Sequence, residues 1–427
     1  MKKIVKKLAS PLFGEVKIPS DKSLSHRAVM FASLAKGESI INNFSKGADC
    51  ISTVNVCKGL GVDIKYIGEN TLRINSTGIL KPPVSPLDCG NSGTTMRLMS
   101  GILAGQDFQS VLVGDASLSK RPMKRVISPL AIMGADILSE EGKAPLRISG
   151  KSLNSIEYNS ELSSAQVKSC VILAGLFADG ETVFTEPFKS RDHTERMLSA
   201  MGADLRVEGC AVRVKKSSLS PIDFSVPGDI SSAAFFIVAG MLVPDSEIVL
   251  KNVGINPTRT GIIDVVKQMG GDIRIFNIKE VLGEPIADIR VRYSPNLRGV
   301  EISGDLIPRL IDEIPVLTVL ATQAEGQTVI KDASDLRNKE ADRISAVANA
   351  LKSFGANLEE TPDGFIIQGK APLSGGVDVQ TFHDHRLAMS YYVAGLIAES
   401  PILIDGFEWT NISFPEFEDL MGVLQNG

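Results

Sequence analysis

An α/β fold in two similar domains, each made of three copies of one unit, is the architecture that this chain of 427 residues predicts. Three observations carry it. A helix-end motif recurs along the chain, six apolar helices alternate with β-branched runs, and the length suits two or three domains rather than one.

The motif is a large apolar residue, Gly, a smaller residue, Asp or Asn, and an aliphatic. It occurs as Leu60-Gly61-Val62-Asp63-Ile64, Met133-Gly134-Ala135-Asp136-Ile137 and Met201-Gly202-Ala203-Asp204-Leu205. It returns as Met269-Gly270-Gly271-Asp272-Ile273 and Phe354-Gly355-Ala356-Asn357-Leu358. Its glycines fall 68 to 85 residues apart, near one sixth of the chain. A helix that stops at a Gly C-cap and turns into a strand reads this way. The final helix, near 417–424, is a truncated sixth copy.

Interleaved with these are six helices at 27–36, 95–104, 167–178, 232–243, 315–324 and 387–398. Each is apolar nearly all round, as a buried helix must be. Runs such as Ile330, Ile366-Ile367 and Ile402-Leu403-Ile404 read as strands. Two groups of three units place one domain at 1–19 plus 229–427 and the other at 20–228. The crossings lie at 18–21 and 226–229, where Pro19 and Pro227 mark extended backbone and a hinge is expected.

Composition narrows the function. With 43% hydrophobic and 22% charged residues the chain is globular, and with 5% aromatics its cores are aliphatic. The uncharged stretch Ile230–Pro244 is 15 residues long, short of the roughly 20 that a membrane helix needs. No apolar segment follows the lysines of the N-terminus, so no secretory signal is expected. The five cysteines show no metal or disulfide spacing, which fits reduced thiols in a cytoplasmic protein. A net charge of −5 argues against nucleic acid as a bulk partner.

The central helices begin in polar clusters. These are Ser20-Asp21-Lys22-Ser23-Leu24-Ser25-His26-Arg27, Gly90-Asn91-Ser92-Gly93-Thr94, Ser163-Ser164-Ala165-Gln166, Pro227-Gly228-Asp229, Ile311-Asp312-Glu313 and His383-Asp384-His385-Arg386. Taken singly, such residues are N-caps. A helix start is also a ready anion site, because its N–H groups are free and its dipole is positive. Lys22, Arg27, Lys168 and Arg386 stand within a turn of these starts, where the dipole disfavours a cation unless an anion is bound. The expected ligands are phosphates and carboxylates. Two basic stretches, 119–125 and 336–343, add cations, although each also reads as a solvated face. Gly90–Thr94 lacks the Gly-Lys-Ser/Thr of a P-loop, and no dinucleotide fingerprint follows a strand. His383 and His385 have no evident third metal ligand, and Cys89 reads as a buried, inert thiol.

Ten stretches, in order and over nearly the whole length, resemble the 5-enolpyruvylshikimate-3-phosphate synthase family. They are SDKSLSHRA at 20–28, GNSGTTMR at 90–97, GDASLSKRPM at 114–123, SAQVKS at 164–169 and SRDHTERML at 190–198. The others are PGDISSAAFF at 227–236, IDEIP at 311–315, RNKEADRI at 337–344, DHRLAMS at 384–390 and SFPEF at 413–417. SAQVKS, IDEIP and SFPEF are similar to the second, glyphosate-variable branch. A lysine that the other branch carries before its Phe-Pro has no counterpart, since Asn411-Ile412-Ser413 precedes Phe414.

The resemblance implies a fold of two domains, each of three βαβαββ units about a pseudo-threefold axis, an inside-out α/β barrel. It implies a site in the interdomain cleft that closes on ligand. The implied reaction moves the enolpyruvyl group of phosphoenolpyruvate to the 5-hydroxyl of shikimate 3-phosphate and releases phosphate. No metal or organic cofactor is expected, the chain is expected to be a monomer, and glyphosate is an expected inhibitor. Shikimate 3-phosphate falls to Lys22, Ser23, Arg27, Ser164, Gln166, Asp312 and Lys339. Phosphoenolpyruvate falls to Lys22, Asn91, Gly93, Thr94, Arg121, Gln166, Arg343 and Arg386. Asp312 is implied as the base, Glu340 as the acid and Lys22 as a proton shuttle.

Rival readings differ at these positions. A UDP-N-acetylglucosamine enolpyruvyl transferase typically carries a cysteine in the loop that here spans 114–125 and holds Arg121. An RNA 3′-phosphate cyclase would need nucleotide and RNA surfaces, against which the charge and the few aromatics argue. A two-lobed anion-binding protein would have no use for Asp312 and Glu340 beside its ligand.

Overall fold

The computed structural model describes residues 1–426. The chain forms two compact units. The inserted unit comprises Ser20–Val226 with Glu280–Glu284, and the discontinuous unit comprises Met1–Pro19, Pro227–Lys279 and Pro285 onward. The chain passes from one to the other at Pro19/Ser20 and at Val226/Pro227. No sequence signal marks Glu280–Glu284, the tip of the hairpin formed by Ile273–Val281 and Glu284–Arg292.

Each unit contains three small sheets and three central helices. In the inserted unit the helices are Lys22–Leu34, Gly93–Ala104 and Ala165–Gly175. In the discontinuous unit they are Ile230–Leu242, Ile314–Ala321 and His385–Gly395. Every residue of Ile230–Leu242 and of Ile314–Ala321 is buried. Their all-round apolar sequence therefore reports a central position, with the helices inside and the sheets outside. Close approach of these helices needs small residues. A Cβ at Gly101 would meet the Cys170 carbonyl oxygen at 2.1 Å.

Among the described residues five sheets have four strands and a sixth has three. The four-stranded sheets share one wiring. In Leu87–Asp88, Gln109–Val113, Lys143–Ser149, Asp136–Glu140 the first pair is parallel and the other two pairs are antiparallel. That order is the βαβαββ unit. Two units borrow their first strand from far along the chain. Asp223–Ser225 pairs in parallel with Lys36–Asn42, and Phe13–Lys17 with Glu247–Gly254. The sixth unit is the truncated one: the N-terminal strand Lys2–Val5 pairs antiparallel with Ile402–Asp405, and Asp378–Gln380 completes the sheet. Among the described residues no ladder joins the sheets of a unit into one hydrogen-bonded barrel. Each unit has its own, largely aliphatic core.

The recurring glycines are C-caps. Gly61, Gly134, Gly202, Gly270 and Gly355 have φ of +85°, +92°, +88°, +84° and +94°. Each is followed by the same bond, from the next N–H back to a carbonyl in the last turn. Examples are Ala135 N to Leu130 O at 2.9 Å and Ala356 N to Leu351 O at 2.9 Å. This is the Schellman closure, and it needs a left-handed residue that only Gly supplies without strain.

Candidate active site

The central helices begin earlier than their apolar periodicity does. Asp21, not a residue near Arg27, caps the first helix, its Oδ1 accepting from Leu24 N–H at 2.8 Å. Lys22 and Ser23 therefore lie on its first turn and Arg27 one turn further in. Lys22 pairs with Asp49. Arg27 is only 3% exposed. Its Nε donates to Thr194 Oγ1 at 2.8 Å, and its Nη atoms donate to Ser169 Oγ at 2.9 Å and Ser23 O at 3.1 Å.

Ser92 caps the second helix, accepting from Thr95 N–H at 3.1 Å, so that Gly93 and Thr94 form its first turn. Gln166, on the first turn of the third helix, donates to Thr94 Oγ1 at 3.1 Å. Arg121 donates to Asn91 Oδ1 at 2.6 Å, and Asn91 donates to Asp115 at 2.8 Å. Ser164 occupies the N-cap position of the third helix, yet its hydroxyl makes no capping bond.

Polar bonds tie these three helix starts to one another. His26 Nδ1 meets Thr53 Oγ1 at 2.6 Å, and Thr53 meets Thr95 Oγ1 at 2.7 Å, which joins the first start to the second. Arg27 on Ser169 joins the first to the third, and Gln166 on Thr94 joins the second to the third. Burial, with Lys22 and Arg27 nearby, pushes the His26 imidazole down to about 3, against an opposing pull from Asp49. It is therefore a neutral link.

Arg97 also belongs to this set, although the sequence alone assigns it no role. Arg97 Nη1 donates to Gln166 Oε1 at 2.8 Å and Nη2 to Pro122 O at 3.2 Å. The available signal was its spacing of four from Gly93, which puts both on one helix face. A Cβ on Gly93 would lie 2.7 Å from Arg97 Nη1 and 3.7 Å from Arg121 Nη1.

Lys168 corrects an expectation. It does not stand at an anion site. Its side chain is 1% exposed and pairs with Glu186 and Glu195, each at 2.8 Å. Side chains at i+3 of a helix start point along the axis into the protein as readily as toward solvent, and the sequence could not tell which. The basic loop divides likewise. Arg121 turns to Asn91, whereas Lys120 and Lys124 are exposed.

In the discontinuous unit the focus is Arg343. The stretch 336–343 is not one continuous element. It is a 3-10 turn Ser334–Asn338, an extended link, and then the helix Arg343–Ser353, capped by Asp342. Arg343 is thus a first-turn residue, and it is 1% exposed. Its Nε donates to Asp384 at 2.7 Å, Nη2 to Glu340 at 2.7 Å and Nη1 to Asp312 at 3.3 Å. Burial works against its charge, but Asp384, Glu340 and Asp312 together overcome it and hold the guanidinium above its usual range.

Asp312 lies in the link between Leu306–Leu310 and Ile314–Ala321. Besides Arg343 it faces Lys339 Nζ at 3.9 Å and Arg386 Nη2 at 3.9 Å. Arg386 also donates to the Asp312 carbonyl at 3.3 Å. Lys339 has a second partner, Asp335, at 3.2 Å. Asp384 both caps His385–Gly395, accepting from Arg386 N–H at 2.8 Å, and grips Arg343. The expected residues Asp312, Lys339, Glu340, Arg343 and Arg386 therefore form one cluster. At the start of Ile230–Leu242, Ser231 bonds to Glu313, and Arg259 donates to Ser231 at 2.6 Å and Asp229 at 3.1 Å.

The weaker candidates resolve simply. Burial pushes the Cys89 thiol well up, which suits an inert core residue. The His383 ring lies tilted by 34° against that of Trp409, with centroids 4.5 Å apart. Among the described residues no three His, Cys, Asp or Glu side chains group so as to hold a metal ion, and no helix is long and apolar enough to cross a membrane.

Two clusters of cations with hydroxyl and carboxylate partners, each gathered around helix starts, are equipped to bind phosphorylated acids and to move protons beside them. Comparison with known proteins gives the family. The family model described as EPSP synthase (3-phosphoshikimate 1-carboxyvinyltransferase) matches residues 6–421. The chain belongs to the EPSP synthase family. It is accordingly a transferase. A curated 3-phosphoshikimate 1-carboxyvinyltransferase from Thermodesulfovibrio yellowstonii is 51% identical over 431 residues, covering 100% of each chain. The solved EPSP synthase of Acinetobacter baumannii superposes with a TM-score of 0.89 at 44% identity, over 99% of this chain and 98% of that one. The enolpyruvyl transferase NikO of Streptomyces tendae shares the fold, with a TM-score of 0.80 at 17% identity over 99% and 97% of the two chains.

Proposed function

We propose that the side chains gathered in the two units act on one pair of substrates. The reaction is transfer of the carboxyvinyl group of phosphoenolpyruvate to the 5-hydroxyl of shikimate 3-phosphate, with release of phosphate. Asp312 and Glu340 carry this reading. Both bond to one buried guanidinium, amid Lys339 and Arg386. A site that only held anions would gain nothing from carboxylates there, whereas proton transfer needs them.

Ser23, Arg27, Ser164, Gln166 and Lys339 hold shikimate 3-phosphate in this scheme. Asn91, Gly93, Thr94, Arg121, Gln166, Arg343 and Arg386 hold phosphoenolpyruvate, and Lys22 meets both. The 5-hydroxyl oxygen attacks C2 of phosphoenolpyruvate and yields its proton to Asp312, while Glu340 delivers a proton to the methylene carbon. The resulting ketal loses phosphate as a proton leaves the methyl carbon, and the vinyl group reforms. Lys22 relays protons. Fixed cations offset the charge that gathers on the leaving phosphate. The chain acts as a cytoplasmic monomer, and glyphosate competes with phosphoenolpyruvate beside Gly93.

Phosphate release tests this directly, with shikimate 3-phosphate and UDP-N-acetylglucosamine as alternative acceptors. Release with shikimate 3-phosphate alone is expected, and release with neither would leave a binding protein. Asp312→Ala is expected to lower kcat more than it raises the KM for phosphoenolpyruvate. A change in KM alone would make Asp312 a binding group.

A further inference from the structure

The stretch Ser190–Leu198 has no part in the scheme above, yet it encloses a buried ion cluster. Lys168 Nζ has three oxygens within reach: Glu186 Oε1 at 2.8 Å, Glu195 Oε1 at 2.8 Å and the Ser190 carbonyl at 3.0 Å. Glu186 Oε1 also accepts from Ser190 N–H at 2.7 Å. One lysine of the helix Ala165–Gly175 thereby pins the segment 186–195 at three points. All three charged side chains are at most 3% exposed.

Such a cluster is costly to bury, and apolar residues of similar volume are often as stabilising or more so. Its neighbours show what it sets. Lys168 precedes Ser169, and Glu195 follows Thr194. Ser169 Oγ and Thr194 Oγ1 lie 2.6 Å apart, and Arg27 donates to both, at 2.9 Å and 2.8 Å. The ion pair 168–195 and the hydroxyl pair 169–194 are consecutive rungs between the same two helices. Fixing the first fixes the second. Burial pushes Glu195 up, while the two glutamates raise Lys168 against its own burial.

We infer that Lys168, Glu186 and Glu195 are positioning residues for Arg27: they hold the Ser169–Thr194 hydroxyl pair on which its guanidinium rests, and so set the affinity for the phosphorylated acceptor. This rests on the reading of Arg27 as a shikimate 3-phosphate ligand.

The test uses the full chain and calorimetric binding of shikimate 3-phosphate, with KM for phosphoenolpyruvate and urea unfolding alongside. The variant Lys168→Met/Glu186→Leu/Glu195→Met keeps the volume and removes the charges. It is expected to unfold cooperatively, to weaken shikimate 3-phosphate about tenfold and to leave the KM for phosphoenolpyruvate within about twofold. Added to Arg27→Ala, it should change the affinity by no more than about twofold. Should the triple variant fail to fold, Glu195→Gln alone is expected to give a smaller loss with the same dependence on Arg27. Unchanged affinity in a folded charge-removal variant, while Arg27→Ala binds weakly, overturns the positioning role alone. So does an effect that multiplies with Arg27→Ala. Unchanged affinity in Arg27→Ala overturns the reading of Arg27, and the positioning role with it.

Discussion

Arg343 joins three carboxylates, two of which are the proposed proton carriers. Its removal therefore does two things at once. Arg343→Ala deletes a proposed phosphoenolpyruvate contact, and it also strands Asp384, which has no exposure of its own. Leaving a buried charge without its partner costs about 3–5 kcal/mol. The expected outcome is loss of turnover together with a stability loss of that size in urea. A stability within about 1 kcal/mol of the parent would mean that Asp384 is held by other groups. His26 gives a second residue-scale expectation. Its native pKa lies near 3 and its unfolded value near 6.5. The unfolded chain therefore takes up a proton that the native state refuses, and stability falls as pH drops below about 6.5, by at most about 1.4 kcal/mol per pH unit. Above that window the contribution is complete. In His26→Gln the fall in urea stability from pH 7 to 4 should be shallower by about one proton; an identical slope would show that other groups set it.

At the scale of elements, helix ends were legible and helix starts were not. The Gly C-caps showed because a left-handed residue must be Gly in every copy. The apolar periodicity begins late, at Arg27, Thr95 and Leu387, because a polar first turn looks like a loop. Asp21, Ser92 and Asp384 in fact begin the helices earlier. That shift matters chemically, since it moves Lys22, Gly93 and Arg386 from loops onto first turns, where backbone N–H groups converge. The caps are open to a direct test. At Gly202 an added Cβ would find its nearest neighbour, Ser220 Oγ, at 3.9 Å, so Gly202→Ala pays only for its φ of +88°. About 1–2 kcal/mol should be lost in urea with kcat unchanged. At Gly61 the Cβ would also meet the Lys81 side chain at 2.7 Å, so Gly61→Ala should cost more. Equal costs would mean that Lys81 yields freely.

For the whole molecule, the wiring gives an expectation about folding. The inserted unit has its own core, and its terminal strand Asp223–Ser225 pairs with Lys36–Asn42, so its two ends meet within one sheet. Residues 20–226 expressed alone are expected to unfold cooperatively in urea. They should be less stable than the same residues in the full chain, because His193 loses Glu284, its partner at 2.8 Å. A gradual, non-cooperative transition would sink the expectation and make folding of the insert depend on the rest of the chain.

The repeat, the apolar helices, the C-cap glycines and the motif stretches are properties of local sequence, and from them the α/β class, the six units and the family resemblance followed. These features are legible because helix and strand periodicity, and the left-handed turn, impose residue types at fixed spacing. Side-chain direction obeys no such spacing. Whether Lys168 met a ligand or two buried glutamates, whether Arg97 joined Gln166, and that Arg343 would gather Asp312, Glu340 and Asp384, were decided by contacts between residues 18 to 72 positions apart or brought together by a turn. Only the packing of three helices at their starts selects those partners, because burial makes each charge find the nearest opposite one that the fold supplies.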